Sequence, residues 1–142
     1  DQFGPFGHGW TYSAHPIGAA AGVANLKLLD SLNLVQNAGD VGPYLTRTMA
    51  EALGEHAHVG EVRGAGMLSA VELVKDRDTR AGFDPADKIV PQIVGAMARR
   101  GVIARAMPQG DILGYAPPLC LTHAEADIVV SATADSIKEV LG

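Results

Sequence analysis

The segment Gly7-His8-Gly9-Trp10-Thr11-Tyr12-Ser13-Ala14-His15-Pro16 gathers more functional-group chemistry than any other stretch of the chain. It joins glycine-rich backbone to the hydroxyls of Thr11, Tyr12 and Ser13, and it ends on a proline suited to the first position of a helix. Backbone N–H groups near a helix N-terminus, together with a threonine hydroxyl, make a receptor for a phosphate. Capping of the helix and local turn chemistry are the competing use of the same residues.

Other candidates are weaker. His56-Ala57-His58 puts two imidazoles on one side of an extended chain, but no further ligand cluster completes a metal site, so a solvated loop is expected and no metal. Asp76, Arg77, Asp78 and Arg80 read as a solvated turn. Cys120 lies between Leu119 and Leu121 and reads as a buried, inert thiol. Arg105 taken alone is a charge at the end of a strand. P-loop, GxGxxG, GxSxG and HExxH patterns are all absent.

The elements that must carry these residues follow from periodicity. Residues 1–15 are irregular, with Gly4, Pro5, Gly7 and Gly9 breaking any repeat. From Pro16 the apolar positions Ile17, Ala20, Ala21, Ala24, Leu28 and Leu32 recur at helical spacing. A second helix is expected from Leu34 to about Leu53, with Asn33 as its N-cap, Gly54 as its stop and a kink at Pro43. Strands are expected at Val59–Arg63 and Met67–Val74, joined through Gly64-Ala65-Gly66 by a bend or bulge rather than a two-residue turn. A third helix is expected from about Asp87 to Arg100, then strands at Val102–Arg105 and Ile112–Ala116. Thr122 and Glu125 form a capping box for a last helix. The order suits an α+β domain, with helices on one face of a mostly antiparallel sheet behind a long linking helix.

Composition limits the function. Of 142 residues, 47% are hydrophobic and 19% charged, which is globular. The net charge of −5 argues against a nucleic-acid partner. No apolar run approaches a membrane span, and a single cysteine suits a reducing, cytoplasmic setting. The chain opens Asp1-Gln2 without Met, which reads as a piece of something longer or a processed product. Gln2 to Leu26 carries no Asp, Glu, Lys or Arg. Such a stretch is expected to be covered in a larger protein, and to be disordered or to drive self-association without that cover.

Several segments together resemble the class III pyridoxal-phosphate aminotransferases. His8-Gly9-Trp10-Thr11-Tyr12-Ser13-Ala14-His15-Pro16 is similar to the family's HG-aromatic-TYSGHP signature. Val59-Gly60-Glu61-Val62-Arg63-Gly64-Ala65-Gly66-Met67 is similar to its VGEVRGxGL segment. Glu72-Leu73-Val74, Phe83-Asp84-Pro85, Arg100-Gly101-Val102-Ile103 and Ala116-Pro117-Pro118-Leu119 follow in the family's order. The likeness covers nearly the whole chain and is greatest to omega-aminotransferases that use pyruvate as acceptor. Ala14 departs from the usual Gly, which should tighten the turn, and the loop after Arg105 is slightly longer than in several members.

The resemblance implies the C-terminal portion of such an enzyme: residues 1–32 as cofactor-phosphate loop and linking helix, residues 33–142 as the small domain of a fold-type-I enzyme. It implies pyridoxal 5′-phosphate as cofactor, bound at its phosphate by Thr11 and the Trp10 N–H across a homodimer interface, and a substrate carboxylate paired with Arg105. It implies amino transfer between an amine or omega-amino acid and a keto acid such as pyruvate. The lysine that holds the cofactor covalently lies upstream of the signature in the family, and none of Lys27, Lys75, Lys88 and Lys138 matches it. This chain alone is therefore expected to hold no covalent cofactor, to contain no catalytic residue and to be inactive. A mutase or decarboxylase on the same fold, and a binding or assembly module without chemistry, are the alternatives.

Overall fold

A computed structural model describes residue 4 and residues 7–142. Phe3 and Phe6 of the charge-free segment lie outside the described residues. The described residues fall into two compact units, divided between Leu34 and Val35.

The first unit holds the turn-rich segment from Gly7 and helix α1 (Pro16–Ser31). Pro16 takes the first helical position, and His15 caps the helix by accepting the Gly18 N–H on Nδ1 at 3.4 Å. No side chain of α1 is buried, although Ile17, Leu26 and Leu28 lie on it.

The second unit contains α2 (Leu34–Leu53, whose first residue belongs to the other unit), β1 (Val59–Ala65), β2 (Leu68–Leu73), α3 (Ile89–Arg99), β3 (Arg105–Ala106), β4 (Ile112–Tyr115) and α4 (His123–Leu141). The sheet is antiparallel throughout, in the order β1-β2-β4-β3. Alternation along the strands gives it two unlike faces. Val71, Leu73, Leu113 and Tyr115 point into a core shared with Val41, Leu45 and Met49 of α2, Ile93 and Met97 of α3, and Ala126 and Ile137 of α4. Each fully buried aliphatic side chain in that core contributes about 2 kcal/mol. The opposite face carries Glu61, Arg63, Ala70, Glu72, Arg105 and Gly114 and is turned away from the second unit's own helices. The expected α+β arrangement of helices on one face of an antiparallel sheet is observed.

Several boundaries differ from the sequence expectation. Ala65 pairs with Leu68, so β1 and β2 are joined by the two residues Gly66-Met67, with Gly66 at φ +55°. That is a tight hairpin turn with glycine first, not a bend. The register irregularity lies at Gly60, between Val59 and Glu61. Asn33 is not an extended N-cap; it sits at φ +51° between α1 and α2. Helix α3 starts at Ile89, because Lys88 adopts φ +50° after a short 3-10 turn at Pro85–Asp87. Residues 102–104 are not strand, and β3 begins only at Arg105. Cys120 is exposed rather than buried. It sits in a turn closed by the Leu121 N–H on the Pro118 carbonyl at 3.0 Å, and Leu121 takes the inward position.

Two contacts fix the frame. A Cβ at Gly42 would lie 2.1 Å from the Gly66 carbonyl oxygen, so α2 meets the hairpin turn backbone to backbone. The Thr122–Glu125 capping box starts α4 as the sequence predicts. Among the described residues, no helix is long and apolar enough to cross a membrane.

Candidate functional site

Each unit carries candidate residues of its own. In the first, the Trp10 carbonyl accepts the Ser13 N–H at 2.9 Å, and the Tyr12 carbonyl accepts the His15 N–H at 3.1 Å. Ala14 stands at φ +59°, a left-handed conformation that costs a side chain about 1 kcal/mol and glycine nothing. Trp10 is 70% exposed and its indole N–H donates to His8 Nε2 at 2.8 Å. Its backbone N–H donates to Ser13 Oγ at 2.9 Å. Thr11 is exposed, and its hydroxyl has no hydrogen-bond partner among the described residues. Of the two residues expected to bind a phosphate, Thr11 keeps its hydroxyl unengaged among the described residues, and the Trp10 N–H is engaged in a local turn.

In the second unit, Arg105 opens β3 on the sheet face turned from the core, exposed and paired in register with Gly114. Met107 lies on the same side and folds back over β4. A Cβ at Gly114 would lie 2.8 Å from Met107 Sδ. Arg105 thus stands beside the apolar side chain of Met107, exposed to solvent.

Sequence reasoning missed the charges on the same face. Arg63 Nη1 donates to Glu61 Oε2 at 2.7 Å and to Glu72 Oε2 at 2.6 Å. The hairpin register sets Glu61 directly opposite Glu72, a like-charge pair that Arg63 bridges and offsets in part. The signal was present: Glu61 and Arg63 stand two apart on one strand, and counting back from a two-residue turn brings Glu72 opposite.

The remaining candidates are structural. His58 Nδ1 lies 3.1 Å from the Val74 carbonyl oxygen, while His56 Nδ1 accepts the His58 N–H at 3.2 Å. These bonds tie the end of α2 to the sheet. Asp76 Oδ1 accepts both the N–H and the hydroxyl of Thr79 at 2.7 Å, and these bonds hold its carboxyl below the usual range. No group of three metal-ligating side chains occurs among the described residues.

Residues 1–137 match the model of the family described as aminotransferase class-III. The chain is 47% identical to a diaminobutyrate–2-oxoglutarate transaminase of Halomonas elongata, over 98% of this chain and 30% of that protein. It is 37% identical to a putrescine–pyruvate aminotransferase of Pseudomonas aeruginosa, over 92% of this chain and 28% of that one. Among solved structures, an amine transaminase from an uncultivated Pseudomonas species, in a PLP-bound form, superposes with a TM-score of 0.87 at 38% identity, over 95% of this chain and 30% of that one. The chain spans about 30% of the length of the curated relatives it matches.

Proposed function

The chain belongs to the class-III aminotransferase family, and from that membership we propose that it serves as the C-terminal part of an enzyme moving an amino group between an amine or omega-amino acid and a keto acid such as pyruvate. The family match over residues 1–137 carries this reading. Relatives named for diaminobutyrate and putrescine support an amine donor.

Pyridoxal phosphate is the cofactor of the family, and when bound it supplies the electron sink for the chemistry. The residues present fit its phosphate. The Thr11 hydroxyl is exposed and uncommitted on a turn that leads into a helix N-terminus, where partial positive charge favours a dianion. The Trp10 N–H is a second donor once released by Ser13. In this reading the phosphate belongs to the partner subunit of a homodimer, and the reducing environment is the cytoplasm.

Arg105 is the substrate-binding residue in this proposal. Its planar donor fork suits a bidentate contact with a carboxylate. A two-residue edge strand holds it lightly enough to turn aside for an uncharged amine. The family's covalent lysine precedes the signature segment, and all four lysines here follow Thr11, so in this reading none of them attaches the cofactor.

The test is Arg105→Ala in the full-length enzyme. Carboxylate-bearing substrates should lose about tenfold in kcat/KM, while simple aryl amines are spared. Equal losses for alanine and for an uncharged aryl amine would show Arg105 to be structural.

A further inference from the structure

The turn of residues 107–111 joins β3 to β4 and so carries the edge strand on which Arg105 stands. Residues 107–110 are exposed, and Asp111 at the end of the turn is half-buried. Asp111 Oδ2 accepts the Phe83 N–H at 2.9 Å, across 28 residues of sequence. We propose that Asp111 is a positioning residue for Arg105: its carboxylate pins the β3–β4 hairpin to the loop that follows β2, and this anchor sets where the guanidinium meets a substrate carboxylate. The proposal rests on the reading of Arg105 given above and extends it to a residue that acts through the arginine.

Three observations support this assignment. The first is the slightness of the edge strand. β3 is two residues long and pairs with β4 alone. Arg105 lies opposite Gly114 and Ala106 opposite Leu113, and the Met107 N–H adds one bond to the Ile112 carbonyl at 2.9 Å. So short a pairing is marginal by itself, and its position depends on how the turn at its end is fixed. Among the described residues, Asp111 supplies the side-chain hydrogen bond that joins this turn to another part of the chain.

The second is that Asp111 is held by main chain and side chain together. Its carbonyl accepts the Leu73 N–H at 2.7 Å, one residue beyond the Glu72–Ile112 pair of the β2–β4 ladder. The backbone therefore fixes the residue on the sheet, and the carboxylate reaches out to Phe83. Gly110, next in the turn, stands at φ +71°, so the chain reverses immediately before the anchored residue.

The third is the firmness of the anchor. Phe83 packs against the core, and its ring centroid lies 5.6 Å from that of His58. The loop before it is closed by the Lys75 N–H on the Ala81 carbonyl at 2.7 Å and by the Asp76–Thr79 bonds. A carboxylate makes a stronger acceptor for the Phe83 N–H than a neutral group does. Backbone drift of β3 is thus restrained, while the Arg105 side chain keeps its own rotation.

Steady-state kinetics of the full-length enzyme with alanine and with an uncharged aryl amine test the proposal. Asp111→Ala should raise KM for alanine about fivefold, with kcat within about twofold and the aryl amine little changed. Asp111→Asn keeps an acceptor at the same reach and should bring KM to within about twofold of the wild type. Gly82→Ala keeps the test decisive if Asp111→Ala fails to fold. A Cβ at Gly82 would lie 3.2 Å from Asp111 Oδ2, so the methyl crowds the carboxylate and should raise KM for alanine in the same direction by a smaller factor. Equal losses for both substrates, an unmoved KM for alanine, or an Asp111→Asn enzyme no better than Asp111→Ala would overturn the proposal. Arg105→Ala is measured beside these variants: equal losses there would sink the carboxylate-binding role of Arg105 itself. Hydrogen exchange would still decide whether Asp111 holds the hairpin. Asp111→Ala should speed exchange in residues 105–112 about tenfold and leave β1 as in the wild type, and unchanged exchange in residues 105–112 would refute the anchor.

Discussion

The hydroxyls of Tyr115 and Thr133 lie 3.0 Å apart in the core and join β4 to α4. Thr133 Oγ1 also donates to the Val129 carbonyl at 2.8 Å, so Tyr115 is the donor of the pair. Burial pushes the Tyr115 phenol well above its ordinary range. Thr133→Val should strand the phenol O–H beside Met97 Sδ, a poor acceptor at 3.9 Å, and cost about 1–3 kcal/mol. Tyr115→Phe combined with Thr133→Val should recover most of that loss, because no unpaired polar group remains. Denaturant unfolding of the two single variants and the double variant measures the difference.

Two glycines of α2 should respond in opposite directions. Gly42→Ala drives a methyl into the backbone of the β1–β2 turn and should destabilise by about 2 kcal/mol or more. Gly39 faces open space, and Gly39→Ala should stabilise by about 0.5–1 kcal/mol through helix propensity. Thermal unfolding compares them directly.

Ala14→Gly should relieve the left-handed strain at φ +59° in the signature loop. The gain is set against the extra backbone freedom of glycine in the unfolded chain, so the net change should stay below about 1 kcal/mol. The clearer readout is local. Resonances of Thr11 and Ser13 should shift in the nuclear magnetic resonance spectrum, while those of the second unit stay in place.

Acid should weaken the fold through His56. Desolvation, then the neighbouring His58, lowers its pKa below the ordinary 6.5. The unfolded chain therefore takes up the proton first, and stability falls as pH drops through about 6.5 towards the lower folded value. Protonation of Nδ1 also removes the acceptor used by the His58 N–H. Stability measured between pH 7.5 and 5.5 should decline less in His56→Asn than in the wild type; parallel profiles would assign the decline to other groups.

Cys120 should react with a maleimide in the native state at a rate close to that of a small free thiol, since the turn at Pro118–Leu121 leaves it exposed. Mass spectrometry of the intact protein should show one adduct without denaturant.

How much of this was legible in the sequence depended on the range of the interaction. Pro16, the Thr122–Glu125 box and the α2 stripe of Val41, Leu45, Met49 and Leu53 act within a few residues of themselves, and helices stand at those places. Cys120 misled because apolar neighbours in sequence do not define a buried site: the turn points Leu121 inward and leaves the thiol out. Lys88 misled because a left-handed residue is invisible to periodicity when it is not glycine. The Arg63–Glu61–Glu72 cluster needed the pairing of two strands, which depended on where a two-residue turn fell. Arg105 was singled out through motif resemblance alone, and its place on the face turned from the core follows from the register with Gly114.

The strand that presents Arg105 is two residues long and has a neighbour on one side only. Opening it breaks a few backbone bonds at the rim and disturbs little of the core. Its amides should exchange with solvent through small, frequent excursions, while those of β2, flanked on both sides, wait for much larger ones. The arginine is thus mounted on a strand held from one side only, where backbone opening at an edge adds to the rotamer freedom of an exposed side chain.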